Sequence, residues 1–273
     1  MTKLSRLNQI LAFTRPASTP IDFLKLLVLG YARGHSFDSS DLISVICQWL
    51  FPSLVIQPHT MHGVKINLNP SDLGHLISFQ EIFLEDCYDL TLVPFTPKTV
   101  LDCGAHIGLF SLIAAHTYST AKVIAFEPNP NNINYIYHQL KLNKLNISLL
   151  EAAVSKEDGE AWFRSECSNT GSLQVENSNS KDSYRVKTVN LQHYINHLQT
   201  SSLLLKLDIE GEENLLLPKI IPYLPKECAI FLESHNGEDG WNQIVQYLTE
   251  ANFQVRQIRS RYPYVDGFAS RTK

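Results

Sequence analysis

The chain has 273 residues, of which 44% are hydrophobic and 18% are charged, so it is long and apolar enough for one large core plus a modest appendage. The formal net charge is −4, and no block rich in lysine or arginine is present. Because proteins that bind nucleic acid carry a basic excess, we expect one main domain with an extension and no nucleic-acid partner.

Residues 1–62 are predicted to form an N-terminal helical extension. Apolar residues recur at helical spacing in 3–13, 21–32 and 39–50, and prolines separate these segments. Polar residues interrupt the first apolar segment, so we expect no secretory signal.

The most apolar stretch of the extension, residues 42–56, contains Gln48 and Pro52. It is shorter than the roughly 20 residues that a spanning helix needs, so it is predicted as a buried helix followed by a loop and not as a transmembrane segment. A peripheral membrane contact through residues 21–56 stays open as an alternative, because Leu, Phe and Trp cluster there.

The five cysteines are odd in number and scattered, and no two of them form a Cys-x-x-Cys pair. This pattern indicates free thiols, which are typical of a reducing compartment. We therefore predict a cytoplasmic protein.

Residues 63–98 are predicted as a lid or adaptor segment. Apolar and polar residues alternate in Val64–Leu68, which predicts a strand, and a turn follows it. We expect the next segment to cover the top of a sheet, with Phe79, Phe83 and Tyr88 as an apolar lid.

Residues 99–111 contain the most informative motif: a short apolar strand, a tight glycine turn and the start of an amphipathic helix. A Cβ at Gly104 would block the approach of a ligand, and Gly108 is expected to let the helix pack close to the sheet. Dinucleotide-binding folds have a second glycine where this chain has His106, whose side chain would crowd a pyrophosphate, so NAD is disfavoured. Asp102 repels phosphate and suits the ammonium group of a methionine moiety, which favours S-adenosylmethionine (SAM).

A second acid follows at the spacing that a nucleotide-like ligand needs. Residues 121–130 contain a β-branched run that ends in Glu127, 19 residues beyond Gly108. In βαβ folds, an acid at about this distance binds the ribose hydroxyls. The two acids together predict a SAM-type site; the alternative is that Asp102 and Glu127 merely cap loops.

From residue 99 onward, strands and helices alternate, which predicts an α/β fold with a mostly parallel central sheet and helices on both faces. The core strands are predicted at 99–103, 122–127, 147–151, 202–208 and 229–235, and helices at 107–117, 130–143 and 190–199. Additional strands are predicted at 160–163 and 184–189, around a polar loop, and a closing pair at 253–258 and 264–270. Acids at the strand ends are expected to gather on one rim of the sheet: Asp102, Glu127, Glu151, Asp208 and Glu233.

Charged residues alternate at the end of the fourth core strand, where Lys206, Asp208 and Glu210 precede a turn. A buried strand rarely carries three charges, so we predict functional roles for them. The alternative is that Lys206 only neutralises an acid. Glu212 and Glu213 are predicted to be solvated charges at a helix start.

His235 lies two residues beyond Glu233, at the end of the fifth core strand, and is the best-placed imidazole to take a proton near neutral pH. His106 is a weaker candidate. We expect no metal, because Lys206 can neutralise the neighbouring acids. A magnesium site at Asp208 and Glu233 is the alternative, since carboxylate oxygens suit that ion.

These motifs together resemble the FkbM family of SAM-dependent methyltransferases, from Phe79 to the end of the chain. The family's Gly-Ala-Asn-Ile-Gly has His106 in place of Asn here, and its Glu-x-His-Asp ending has Asn236 in place of Asp. The stretches that carry the resemblance are Phe79–Phe83 with Tyr88–Leu90, Val100–Gly108, Ala125–Pro130, Leu149–Val154, Leu205–Glu212 and Leu232–His235.

The resemblance implies a Rossmann-like class I methyltransferase fold for residues 63–273, with its core at 99–273, and SAM as the cofactor. The predicted cofactor-binding residues are Asp102, Gly104, Ala105, His106, Gly108, Glu127, Pro128, Asn129, Glu151, Ala152 and Asp208. The predicted catalytic residues are Lys206, Asp208, Glu210 and His235, with His235 or Asp208 removing a hydroxyl proton.

The resemblance also implies methyl transfer, usually to a hydroxyl oxygen of a sugar or natural product. The expected acceptor is a small molecule or glycan, and the N-terminal helices are expected to shape its pocket or a homodimer contact. Two other functions stay open: a noncatalytic SAM-binding scaffold, and an aminopropyl transferase that uses decarboxylated SAM.

Overall fold

The computed structural model of the protein describes residues 11, 14, 15, 17, 19–22, 25–28, 53–58, 63–69, 72–167, 170–174, 183–261 and 263–272. Residues 20–22 and 25–28 are helical, in agreement with the helix predicted at 21–32. The helix predicted at 39–50, and nearly all of the one predicted at 3–13, lie outside the described residues. Much of the polar loop between 165 and 183 also lies outside them.

The strands, in chain order, are β1 (Leu54–Ile56), β2 (Ile66–Leu68), β3 (Thr99–Cys103), β4 (Lys122–Phe126), β5 (Ile147–Leu150), β6 (Ala153–Ser155), β7 (Gly159–Cys167), β8 (Thr170–Gln174), β9 (Ser183–Asn190), β10 (Ser202–Leu207), β11 (Glu227–Ser234), β12 (Gln254–Arg261) and β13 (Tyr264–Arg271). The α-helices from residue 73 onward are α1 (Leu73–Phe83), α2 (Leu109–Thr117), α3 (Pro130–Asn143), α4 (Leu191–His197), α5 (Glu213–Ile220) and α6 (Gly237–Glu250).

A seven-stranded sheet forms the centre of the fold, in the order β12-β13-β11-β10-β3-β4-β5. Strands β11, β10, β3, β4 and β5 are parallel to their neighbours within this set. Strand β13 pairs antiparallel with β11, and β12 pairs antiparallel with β13. The mostly parallel sheet and the closing pair of strands are thus confirmed.

Alternate residues of β10 pack against helices on opposite faces of the sheet. Leu203, Leu205 and Leu207 pack in a core cluster with residues of α4, α5 and α6. Leu204 packs instead with residues of α2. Because side chains of a strand alternate between its faces, this division shows that helices cover both sides, as the Rossmann-like α/β prediction requires.

A second, four-stranded sheet has the order β6-β9-β7-β8. Strand β6 is parallel to β9, and the other pairs are antiparallel. Strands β7 and β9 confirm the additional strands predicted at 160–163 and 184–189. This sheet is connected to the end of β5 by a two-residue link, so it lies next to the carboxyl ends of the parallel strands.

The segment predicted as a loop near residue 56 is a strand. β1 pairs antiparallel with β2, with Leu54 opposite Leu68. Leu54 and Ile56 are buried with Leu26 and Phe79 in one core cluster, because their apolar side chains share a face of this hairpin. The domain boundary predicted between residues 62 and 63 therefore falls between two paired strands, and it stays a prediction.

Two further sequence predictions concern membrane-spanning helices and the state of the cysteines. Among the described residues, no helix is long and apolar enough to cross a bilayer. Cys87, Cys103 and Cys228 are buried, free thiols.

The β10 strand provides a matched test of the core. Leu205 is fully buried, whereas Leu215 on α5 is 42% exposed. We expect Leu205→Ala to lower the free energy of unfolding by about 2–5 kcal/mol, because it removes buried methyl groups and leaves a cavity. Leu215→Ala should change it by less than about 1 kcal/mol. Urea unfolding measures both; equal losses would contradict the assigned core.

Candidate active site

The carboxyl ends of β3, β4, β10 and β11 border a cavity of about 560 Å³. Ligands bind at this edge in open α/β sheets. The sequence-predicted site residues that line the cavity are Gly104, His106, Glu127, Pro128, Asn129, Asp208, Glu210, Glu233 and His235. The remaining ones, which do not line it, are Asp102, Ala105, Gly108, Glu151, Ala152 and Lys206.

Gly104 is required by a close approach between two strand ends. Its φ is +82°, and a Cβ built on it would lie 1.9 Å from the backbone carbonyl oxygen of Asp208. From the sequence, we expected a bound ligand to require glycine at this position. In the structure, the backbone carbonyl of Asp208 requires it as well. The N–H groups of Gly104 and Ala105 both donate to the carbonyl of Phe126, which ties the turn to the end of β4.

Glu127 anchors the glycine turn from the opposite side. One carboxylate oxygen accepts a hydrogen bond from the backbone N–H of His106 at 2.7 Å, and the other accepts one from the N–H of Asn129 at 2.8 Å. Burial raises the pKa of Glu127 to about 7, although these hydrogen bonds oppose the shift. The Oε1 atom also accepts a hydrogen bond from Asn132 at 3.4 Å. Since the side chain lines the cavity, Oε2 is the oxygen with acceptor capacity left for a ligand.

Asp102 does not line the cavity, and groups of the protein surround its carboxylate, so its contact with a ligand stays a prediction. Asp102 is fully buried, accepts a hydrogen bond from Ser111 at 2.6 Å and lies 3.5 Å from the Lys206 ammonium group. Lys206 also donates to the carbonyl of Gly104 at 2.7 Å and pairs with Asp208 at 3.3 Å. Lys206 thus neutralises acids, which was the alternative to a functional role, and it also holds the glycine turn. Its predicted catalytic role stays a prediction.

Four other predicted residues lie beside the cavity and not on its wall. Ala105 and Ala152 are buried. Gly108 caps α2 with φ +82°, and a Cβ there would lie 3.3 Å from Ile136, so the close packing is against α3 and not the sheet. Glu151 is exposed and accepts a hydrogen bond from Tyr137, because the chain leaves the central sheet at this point. It does not join the other acids.

One wall of the cavity is apolar and comes from the second sheet. Ala153, Val154, Phe163 and Leu173 line it. These residues were not among the predicted site residues. The sequence of a short strand does not indicate which of its side chains face a cavity. A cavity that has this apolar wall with an aromatic ring, and that Glu127 also lines, suits a flat, partly apolar group.

Helix α1 closes the cavity with a face that differs from the predicted one. Its lining residues are Leu73, Ile77, Ser78 and Glu81, which recur at helical spacing. Phe79 is fully buried in the core and stacks on Phe83 with ring centroids 5.0 Å apart, so this pair supports the helix from behind.

Ion pairs fasten α1 to the C-terminal strands. Arg259 of β12 pairs with Glu81 at 3.4 Å and also binds Glu85 and Asp266. Arg261, which lines the cavity, binds Glu81 as well. These arginines follow no motif, and only the pairing of β12 with β13 brings them to the site.

His235 sits among four carboxylates at the ends of β10 and β11. Its Nδ1–H donates to Glu213 at 3.0 Å. Its Nε2 lies 3.4 Å from a carboxylate oxygen of Glu210 and 3.8 Å from oxygens of Asp208 and Glu233. We call these five residues the His235 cluster; the structure brings its predicted members together as expected.

The charges of the His235 cluster change its acid–base properties. Burial alone lowers the pKa of His235, but the hydrogen bond to Glu213 and the nearby carboxylates raise it to about 10. At neutral pH the ring is therefore protonated and suited to donate a hydrogen bond, which does not favour its predicted role as a base.

The acids of the cluster divide into two kinds. Burial and the neighbouring Asp208 raise the pKa of Glu210 to about 7, and the same causes raise that of Glu233. Burial also acts against the charge of Asp208, but Lys206 and His235 outweigh it and lower the pKa of this group. At neutral pH Asp208 is charged and Glu210 is close to half protonated.

Glu213 is not the solvated charge that the sequence suggested. It is fully buried, because its carboxylate accepts hydrogen bonds from His235 and from the backbone N–H groups of Ile209 and Gly211. The acids of the motif Glu210-Gly-Glu-Glu213 are visible in the sequence. Which of them is buried depends on the direction of helix α5, which begins at Glu213.

The magnesium alternative receives no independent support. Asp208, Glu213 and His235 present ligand atoms within 4.8 Å of one another. Each already has a protein partner: Asp208 pairs with Lys206, and Glu213 accepts from His235. These contacts explain the grouping without an ion, so magnesium at Asp208 and Glu233 stays an untested alternative.

Curated proteins and solved structures resemble parts of this chain. Methyltransferase sdnD from Sordaria araneosa is 37% identical over 83 residues, which are 30% of this chain and 32% of that protein. Methyltransferase 1 from Beauveria bassiana is 23% identical over 134 residues, which are 48% of this chain and 52% of that protein. The chain thus spans between a third and about half of these relatives.

Among solved structures, the methyltransferase FkbM from Methylobacillus flagellatus matches with a TM-score of 0.49 and 11% identity, over 98% of this chain and 59% of that one. M. jannaschii TYW2, in complex with AdoMet, matches with a TM-score of 0.48 and 14% identity, over 81% and 85%. The model of the methyltransferase FkbM domain family matches residues 102–255. Since this match covers more than half of the chain, the protein belongs to the FkbM methyltransferase family.

Proposed function

We propose that this protein is a SAM-dependent methyltransferase that methylates a hydroxyl oxygen of a sugar or small natural product. The observation that carries the proposal is one cavity whose lining combines two kinds of group. The apolar wall of the second sheet and Glu127 line it together with Asp208, Glu210, Glu233 and His235. Family membership supports the reaction, and the acceptor class follows from the resemblance to the family.

The residues present fit SAM. The cavity of about 560 Å³ lies within the range of small-molecule sites, and its wall has an apolar side for an adenine ring. Glu127 would accept hydrogen bonds from the ribose hydroxyls, and the glycine turn leaves space beside it. Asp208 would favour the positively charged end. When bound, SAM supplies a methyl group on a sulfonium centre.

The residues of the His235 cluster would orient the acceptor and take its proton. Glu210 is the best candidate for the proton acceptor, because its pKa of about 7 matches neutral conditions. Protonated His235 would donate a hydrogen bond to the acceptor oxygen or to Glu210. Helix α1 and Phe163 would exclude water, which strengthens these electrostatic interactions.

We also infer a cytoplasmic location, which the buried, free thiols support. A homodimer contact through residues 1–62 stays a prediction.

The proposed reaction is tested with SAM that carries an isotopically labelled methyl group. The purified protein is incubated with host extracts and with sugar-containing acceptors, and products are analysed by mass spectrometry. We expect one new product that carries the label on oxygen. Calorimetric heat with SAM but no labelled product would favour the scaffold alternative. No heat with SAM or its demethylated product would refute SAM binding.

The glycine turn offers a matched pair of substitutions. Gly104 and Gly63 have φ values of +82° and +84°, but only Gly104 has a backbone atom in the place of a Cβ. We expect Gly104→Ala to weaken SAM binding by about tenfold or more, since about 1.4 kcal/mol suffices for that loss. Gly63→Ala, which shares the backbone strain, should bind normally. Calorimetry measures both dissociation constants; normal binding by Gly104→Ala would contradict the assigned turn.

The proton-acceptor role of Glu210 predicts a pH profile. The unprotonated carboxylate is the active form, so the single-turnover rate should rise as the pH increases through about 7. Glu210→Gln should lower the rate by about 10²–10⁴-fold and remove this step. The exposed Glu157 gives the control, and Glu157→Gln should keep both the rate and the profile. If the single-turnover rate of Glu210→Gln still rose through about pH 7, Glu210 would not be the proton acceptor.

A further inference from the structure

Glu213 contacts both the backbone turn after Asp208 and the ring of His235 through one carboxylate. It is fully buried and does not line the cavity. It accepts hydrogen bonds from the backbone N–H of Ile209 at 2.9 Å and from that of Gly211 at 3.1 Å. It also accepts one from His235 Nδ1 at 3.0 Å. A buried carboxylate is costly unless hydrogen bonds compensate it, so all three contacts are needed at once.

The backbone that Glu213 binds is an unusual turn. Glu210 has φ +58° and Gly211 has φ +106°, so two successive residues adopt conformations that most side chains avoid. This turn directly follows Asp208 and displays Glu210 to the cavity. The two hydrogen bonds to Glu213 hold both ends of the turn and offset the strain of its backbone.

The ring that Glu213 binds has only one nitrogen left for the cavity. Because Nδ1–H donates to Glu213, Nε2 is the nitrogen that points to Asp208, Glu210 and Glu233. The edge of the ring also packs on Tyr264, with centroids 5.3 Å apart. The orientation of His235 thus depends on the hydrogen bond to Glu213 and on the edge-to-face contact with the Tyr264 ring.

We propose that Glu213 is a positioning residue that holds the Asp208–Gly211 turn and the His235 ring in one fixed arrangement, without itself touching SAM or the acceptor. This inference rests on the proposed function for its catalytic consequence. The contacts themselves exist in the free protein, so they can be tested without turnover.

The first test is NMR of the uniformly ¹⁵N-labelled wild-type chain and of Glu213→Gln, without SAM. In wild type, we expect His235 to titrate far above an ordinary histidine, near pH 10, with Nδ1 protonated. In Glu213→Gln, the amide oxygen can still accept from Nδ1, but the charge is gone. The pKa of His235 should therefore fall by about 1 or more. Glu212→Gln, which changes an adjacent acid without a side-chain cap bond, is the matched control and should leave it unchanged.

The second test separates binding from catalysis in the same variants. We expect Glu213→Gln to bind SAM with an affinity within about threefold of wild type, because Glu127, the glycine turn and the ion pair between Lys206 and Asp208 are untouched. It should lower kcat by about 100-fold through misplacement of Glu210 and His235. An unchanged His235 pKa in Glu213→Gln, or an ordinary His235 pKa in the wild-type chain, would overturn the proposal. If the variant does not fold, the wild-type spectra still test the contact with Glu213, because loss of the Nδ1 proton before the Nε2 proton would overturn it.

The two proposals fail in different ways. If wild type transfers no methyl group but the NMR shifts appear, the positioning of His235 stands and the proposed reaction falls. If methyl transfer occurs and Glu213→Gln keeps a normal kcat, the reaction stands and the positioning role is refuted.

Discussion

The buried ammonium group of Lys206 is the contact on which the rest of the site depends. It lies between Asp102 and Asp208 and donates to the carbonyl of Gly104. A buried charge is tolerated only when partners surround it, so this group joins the ends of β3 and β10. These contacts place Gly104 against the Asp208 carbonyl, so close that a Cβ at residue 104 would clash with it. The shape of the cavity at its centre follows from that joint.

Charge is distributed unevenly over the elements that line the cavity. The second sheet contributes apolar side chains, whereas α1, the ends of β10 and β11 and the C-terminal strands contribute acids and a few cations. Burial, and after it the charge of Asp208, raises the pKa values of Glu210 and Glu233, whereas Lys206 lowers the pKa of Asp208. One fold thereby provides charged, half-protonated and neutral acids within one small volume.

Sequence reasoning succeeded where a pattern has one physical meaning and failed where packing decides between several. The apolar run before Asp208 could only be a strand buried on both faces. Asp102 was correctly placed at a strand end, but its use for a ligand could not be separated from its use for Lys206, since both explain a buried acid. Glu213 was misjudged because a helix start is usually solvated, and here the turn and His235 enclose it.

The sequence by itself determined the five parallel core strands, the closing pair of strands, the glycine turn and the acids at the strand ends, because these depend on local periodicity and on backbone conformation. Tertiary structure alone decided which face of α1 closes the cavity, that the second sheet forms its apolar wall, and that Arg259 and Arg261 reach Glu81. It also decided the protonation of His235. Such features arise from contacts between residues that are far apart in the chain. Local sequence patterns cannot predict which of these residues meet in space.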